Sequence, residues 1–242
     1  RAPTPPLTLA EAPLESVFIR PLKGARSIQI SSNWKFVHTG LQYDGFWALA
    51  DELSTMLDRR KCPLLGKITP SIEGEELVFT FQDDHLRIPL NQIPKGTDFT
   101  SSTVCHEKIQ GVIYGPEVNA WFTRILQRKA ILVRIQEDTM RPFRTFFSAS
   151  LEACGVEDLD CIQPNFIFRS EDPFAEDSLV GGNCTMEDLE FSVSRRLPLT
   201  TEVITLTETT EPLKTIVDLH SREGVPELGL EFIASFAPSR KN

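Results

Sequence analysis

"YGPEVNAWFTRILQRKAILVR", residues 114–134, is where the chain changes its period. Val118, Trp121, Phe122, Ile125 and Leu126 recur at the spacing of one helical face, which makes them core residues. Pro116 suits the first turn of that helix, because the donor it lacks has no partner there anyway. "AILVRI" (130–135) then reads as a buried strand. Upstream, "SVFIRPL" (16–22), "RSIQIS" (26–31), "WKFVHTG" (34–40) and "FWALADE" (46–52) are short β-rich runs divided by turn signals. "ELVFTF" (76–81) and "LRIPL" (86–90) flank Gln82-Asp83-Asp84-His85 as a hairpin. Trp34 and Trp47 fall inside these runs and read as barrel residues rather than as a stacking platform. Downstream, "SASLEACG" (148–155) reads as a short helix, and "NFIFRS" (165–170) and "LEFSVS" (189–194) as strands. "EPLKTIVDLHSRE" (211–223) reads as a further helix, with Leu213, Ile216, Val217 and His220 on one side. No internal repeat is visible. The pattern predicts a mainly β fold with peripheral helices (α+β), a barrel or sandwich.

Residues 1–16 are Pro-rich and aperiodic, an extended arm. A composition shift at "NQIPKGTDFTSST" (91–103) predicts two parts, an N-terminal β-barrel-like unit over 17–95 and a core unit over 104–242. "EDTMRPFRTFFSASL" (137–151) packs a strand end, a turn and a helix start into few residues, which leaves open whether a loop near 138–147 is absent from the sequence.

Hydrophobic residues are 40% of the 242 and charged ones 24%, enough apolar material for a real core. The net charge of −9 argues against non-specific nucleic-acid binding, which needs clustered cations. Local basic sites remain at Arg195–Arg196 and Arg59–Lys61. No apolar run is long enough to span a bilayer, and no signal peptide is visible. The five cysteines, Cys62, Cys105, Cys154, Cys161 and Cys184, are odd in number and match no CxxC or zinc spacing. They point to a reducing, intracellular setting, cytoplasmic or mitochondrial. His38, His85, His106 and His220 are scattered, so no zinc site is expected.

Taken in order, "IRPLKGARSIQI", "TGLQYDGFWALADE", "LDRRKCPLL", "YGPEVNAWFTRILQRKAILVR", "SASL", "QPNFIF", "DPFAED", and "SRRLPLTT" with "EPLKTI" resemble the MOSC family. That family includes the C-terminal domain of molybdenum cofactor sulfurases and the mitochondrial amidoxime-reducing component. The resemblance covers nearly the whole chain beyond residue 16 and implies a MOSC-type β-barrel core fused to an N-terminal β-barrel-like unit.

The resemblance also implies a site. In the family the stretch matching 194–201 reads Cys-x-Arg-Cys, and a cysteine thiolate there ligates molybdenum, a soft anionic donor suited to that metal. Here Ser194 and Leu197 stand at the two cysteine positions and only Arg196 remains. The family has Arg where this chain has Gly45 and Gln163. Both arginines belong to its grip on the cofactor's phosphate and pterin, where charged hydrogen bonds contribute about 1.5–3 kcal/mol each. Lys23 and Asn165 match positions able to touch a ligand, but read also as a solvated lysine and a turn-fixing Asn. Arg196 either lines a pocket or pairs with an acid such as Glu190. Ser194 and Thr200 as nucleophiles lack a nearby base. Asp172 and Glu176-Asp177 read as turn and cap residues. Neither Cys161 nor Cys184 is placed at the site by its spacing.

The expectation is a divergent MOSC-family protein without cysteine ligation of molybdenum. It would be a binding or assembly protein, or a cofactor-independent enzyme, using the inherited cleft. Lys23, Asn165 and Arg196 would contact a ligand, with Ser194, Leu197, Thr200, Gln163 and Gly45 lining the pocket. No metal or cofactor is expected. The partners would be a small organic ligand or another protein, with neither nucleic acid nor membrane span. The alternatives are a molybdenum-cofactor-dependent oxidoreductase resembling the amidoxime-reducing component, with molybdopterin bound, and a sulfur-carrier domain resembling that of molybdenum cofactor sulfurase.

Overall fold

A computed structural model describes residues 12–31, 34–101, 109–136, 141–186, 189–199, 211–223 and 225–235. The strands of the first half are β1 (Leu14–Ile19), β2 (Ile28–Ile30), β3 (Phe36–Val37), β4 (Gly40–Leu41), β5 (Trp47–Ala50), β6 (Thr69–Glu73), β7 (Glu76–Phe81), β8 (Asp84–Pro89), β9 (Asp98–Thr100) and β10 (Gln110–Ile113). Helix α1 (Pro116–Leu126) and β11 (Ile131–Ile135) come next. Then come β12 (Phe143–Phe147), α2 (Ser148–Ala153), α3 (Leu159–Ile162), β13 (Phe166–Phe168), β14 (Asn183–Met186), β15 (Leu189–Pro198), α4 (Glu211–Leu219), β16 (Ser221–Arg222) and β17 (Val225–Ser235). The fold is mainly β with peripheral helices. The join at 137–151 carries a regular strand, β12, from Phe143.

Contacts divide the chain into two compact units that do not match the expected ranges 17–95 and 104–242. One holds 1–18, 29–40 and 140–242; the other holds 19–28 and 41–139. The physical reason is strand pairing across 91–103. β9 and β11 flank β10 in one antiparallel sheet, and β11 pairs with β5, Arg134 opposite Trp47. The stretch 91–103 itself contains β9, which pairs with β10 inside one sheet. The expected arm over 1–16 also ends early, since β1 begins at Leu14, with Leu14 opposite Phe168.

In the unit built from 19–28 and 41–139, α1 buries Trp121, Phe122, Ile125 and Leu126, the face its period predicts. They pack with Trp47, Leu49, Phe79 and Leu132. Trp47 is fully buried and its indole donates to the Tyr114 hydroxyl at 2.8 Å. Arg59, a basic-site candidate by sequence, is consumed by the scaffold: it donates to the Gly24 and Ala25 carbonyls at 2.6 and 2.8 Å.

The other unit is built on an eight-stranded sheet, ordered β14-β15-β17-β12-β13-β1-β2, with β16 on β17. β12 and β13 run parallel, with α2 and α3 in the crossover between them. One face is aromatic: Phe143, Phe166, Phe191 and Phe232 pack together, joined by Phe36 and, through Phe36 and Phe166, by Trp34. The opposite residues Phe146 and Ile167 pack with Leu151, Ile162 and Ile216 from the helices. In α4, Ile216 is buried but Val217 is exposed, so the expected apolar side is narrower than Leu213, Ile216, Val217 and His220 suggested. Leu213's side chain lies outside the described residues.

Two bulges set the geometry of β15 and β17. Val193 is opposite Phe232 and Arg195 opposite Glu231, so β15 carries one extra residue; Arg196 is opposite Leu230 and Pro198 opposite Glu227, so β17 then carries one. The second bulge sits at Gly229, whose φ of 76° is in the region that favours glycine. A Cβ there would stand 2.6 Å from both Phe146 Cδ1 and the Thr145 carbonyl oxygen. Gly229→Ala is therefore expected to destabilise the protein by about 1–3 kcal/mol from overpacking, with about 1 kcal/mol more from the left-handed backbone. Urea unfolding checks this: the midpoint should fall with the slope unchanged.

Candidate functional site

The stretch 194–199 lies at the end of β15, and the bulge decides where its side chains go. Ser194 and Arg195 both reach Glu231 across the ladder. Ser194 Oγ donates to Glu231 Oε1 at 2.7 Å, and Arg195 grips both carboxylate oxygens at 3.2 and 3.1 Å. Burial pushes the Glu231 carboxyl up, but the bonds from Arg195 and Ser194 outweigh it and the group lies below the usual carboxylate range.

Arg196 is engaged as well, not by Glu190 but by Asp177. Its Nε donates to Asp177 Oδ1 at 2.8 Å, which raises the guanidinium's pKa. Asp177 Oδ2 stands 2.8 Å from His220 Nε2, and His220 Nδ1 stands 2.8 Å from the Glu227 carbonyl oxygen. Both imidazole nitrogens thus face acceptors, an arrangement that only the imidazolium satisfies. The ring stacks on Phe174, 4.4 Å between centroids and 1° between planes. Burial opposes the charge on His220, but the bonds to Glu227 and Asp177 prevail, so its pKa is raised.

Glu176 and Asp177 lie in the first turn of the 3-10 helix Ala175–Leu179, whose N-cap residue is Phe174. Asp177 bridges Arg196 and His220. Glu176 is buried, and desolvation pushes its pKa up even though Ser150 bonds to it.

Leu197 is 5% exposed and packs with Phe146, Cys161, Leu199, Ile216 and Leu228. Asn165 is a buried tie: its Oδ1 accepts from the Arg144 N–H at 3.0 Å, and its backbone bonds Phe18 and Arg144. Gln163 ends α3 with φ 53°, its N–H bonded to the Leu159 carbonyl. In the other unit, Gly45 has φ 65° and donates to the Arg20 carbonyl, while Lys23 N–H bonds the Trp47 carbonyl. Thr200 lies outside the described residues. The structure brings Ser194 and Arg196 together, with Leu197 directed into the core beside them. Sequence reasoning missed Asp177, His220 and Glu231 as their partners, because strand register and the closing helix bring them there.

The donor set at 194–197 offers a hydroxyl, two paired guanidinium groups and a buried isobutyl group, and so does not fit a metal held by a protein thiolate. Cys161 is buried in the Leu197 cluster, and burial pushes the Cys184 thiol up to about 11. Among the described residues no group of three or more His, Cys, Asp and Glu is placed to hold a metal ion, and no helix is long and apolar enough to cross a membrane.

With this mainly β architecture in view, the comparisons define the class. The family described as "MOSC N-terminal beta barrel domain" matches residues 11–129, β1 through α1. The chain belongs to the MOSC family. It is similar to "Molybdenum cofactor sulfurase" of Danio rerio, 26% identical over 136 residues, covering 54% of this chain and 16% of that protein. It is also similar to "Molybdenum cofactor sulfurase 2" of Culex quinquefasciatus, 25% identical over 243 residues, covering 84% of this chain and 32% of that protein. The chain thus spans a third or less of either relative. A solution structure of a Bordetella bronchiseptica protein covers 46% of this chain and 95% of its own at 18% identity, with a TM-score of 0.35, too low to bear on the fold.

The His220 bridge carries a pH dependence of definite sign. A folded-state pKa raised above the ordinary value of about 6.5 gives stability that is full below that value and is lost as pH rises through the folded pKa. Asp177, Arg196, Glu176 and the Glu227 carbonyl face the ring and define its field. The stability difference between the parent protein and His220→Gln should be about 1 kcal/mol larger at pH 6 than at pH 9, as for one partly exposed charged bond. Thermal unfolding of both proteins across that range checks it; a difference independent of pH refutes the bridge.

Proposed function

We propose that this chain is a MOSC-family protein that no longer holds molybdenum through a cysteine and acts as a binding or assembly protein. The observation that carries this reading is Leu197. Standing at one of the two positions where the resemblance places a cysteine, it is an apolar side chain packed in the core, with no lone pair to give a metal, and Ser194 at the other offers only a hydroxyl already bonded to Glu231.

The neighbours support binding rather than turnover. The carboxylate that Ser194 meets, Glu231, is closed by the Arg195 fork and held below the usual carboxylate range, which makes it a weak base for a serine hydroxyl. Arg196 presents a fork of five donors of which Asp177 takes the Nε–H, so it can still meet a ligand's or partner's acceptor while held in one orientation. Similarity to proteins named molybdenum cofactor sulfurase favours a partner connected with that cofactor's assembly.

Protein purified from a host that makes molybdenum cofactor should carry far less than one molybdenum per chain by elemental analysis. A stoichiometric content would overturn the reading and restore a cofactor-dependent oxidoreductase.

Arg196→Ala separates anchor from scaffold. Expected are weaker capture of the bound partner or ligand and a stability loss of no more than about 1–2 kcal/mol, because the pair is about a quarter exposed. A loss of about 3–5 kcal/mol with unchanged binding would make the residue scaffold. Chemical denaturation beside a binding assay reads both.

A further inference from the structure

Several arginines of the described residues are closed by carboxylates, Arg124 by Asp84, Arg87 by Glu73 and Glu76, Arg195 by Glu231 and Arg196 by Asp177, and others, such as Arg59 and Arg128, donate to main-chain carbonyls. Arg134 is different. It sits on β11 opposite Trp47 of β5, and its guanidinium carbon lies 4.1 Å from the centre of the Trp47 ring and 4.5 Å from that of Phe46. Among the described residues no carboxylate pairs with it, and its buried Nη1 has no hydrogen-bond partner. Desolvation pulls its pKa down, opposed only by the phenols of Tyr114 and Tyr43. A desolvated guanidinium with unmatched donors is costly unless something supplies an acceptor. Ring faces offset part of that cost through the quadrupole but accept no N–H in the plane of the fork.

The Tyr114 phenol, which interacts with Arg134, accepts the Trp47 indole N–H at 2.8 Å and keeps its own proton to donate. Tyr43 packs 5.8 Å from Phe46 and 6.4 Å from Trp47, and its hydroxyl bonds Asn91 Oδ1 at 2.8 Å. It is held there with φ 69°, a backbone region that a bulky residue rarely enters. All of these residues belong to the unit formed by 19–28 and 41–139.

We propose that Arg134 anchors an oxyanion-binding site, in which the carboxylate or phosphate group of a small organic ligand bridges the guanidinium and the Tyr114 hydroxyl beside the rings of Phe46 and Trp47. The planar fork matches either oxyanion with two parallel bonds, and the aromatic rings exclude water from it. The site shares no residue with Leu197 or the 194–197 network, so it holds or fails independently of the proposed loss of cysteine ligation.

The probes are inorganic phosphate and pyrophosphate in one arm and acetate and succinate in the other, with chloride at matched ionic strength as control. Binding is followed by the unfolding midpoint and by tryptophan fluorescence. The parent protein should show a saturable, oxyanion-specific response at millimolar concentration. It should weaken at least tenfold in Arg134→Met, less in Arg134→Lys, which keeps the charge but not the fork, and severalfold in Tyr114→Phe. Preference for the phosphate arm assigns a phosphorylated ligand, and preference for the carboxylate arm a carboxylic acid. If Arg134→Met does not fold, Arg134→Lys and Tyr114→Phe decide. A parent response no greater than chloride, or equal binding by Arg134→Lys, Tyr114→Phe and parent, would overturn the proposal.

Discussion

The Glu231 carboxylate, gripped from one bulge by Ser194 Oγ and the Arg195 fork, is the contact on which the rest of the C-terminal arrangement depends. An unbulged strand sends residues of one parity to one face. Phe191 and Val193 obey that rule and lie on the side of Phe232. The extra residue at 194–195 reverses it, so that Leu197 packs with Phe146 and Ile216 on the side of the helices. Glu231 also lies opposite Arg144 in the ladder, and that second positive charge helps keep it ionised between the strands.

One residue further along β15, a second acid serves two cations. Asp177 arrives from the 3-10 turn after β13 and receives Arg196 on one oxygen and His220 on the other. His220 comes from the end of α4 and closes onto the Glu227 carbonyl of β17. Three segments distant in sequence are thus tied at one carboxylate, and Ile216 of the same helix covers Leu197 and Leu199. The polar tie and the apolar cover act together: each orders groups that the other would otherwise have to order alone.

Local pattern carried much of the fold. The helical face from Val118 to Leu126, the hairpin at Gln82-Asp83 and the run "LEFSVS" are all settled by periods of 3.6 or 2 within a few residues. Pairing between distant strands was not legible. Nothing in "NQIPKGTDFTSST" says that β9 will line up with β10 and thereby with β5, because register is chosen by partners rather than by the loop. The same limit applied at the site. Ser194 and Leu197 were marked by the resemblance alone and Arg196 also by its charge, and Asn165, read as a possible ligand contact, is a buried tie between Phe18 and Arg144. Glu231 carries no motif, and Asp177 in "DPFAED" and His220 on the closing helix are recognised as partners of Arg196 only once the bulge and that helix are in place.

The order of the chain through the two units sets the order in which they can be completed during synthesis. The unit of 19–28 and 41–139 has all its strands once residue 139 has emerged, and a domain generally folds when its last element is available. The other unit begins with β1 but lacks β12, β15 and β17 until residues 147, 198 and 235 have been made in turn. At roughly 5–20 residues per second, the edge of β1 that pairs with β13 waits several seconds or more for that strand. That interval is when a nascent chain of this topology is open to capture by a chaperone, and when synthesis rate, rather than final stability, governs its yield.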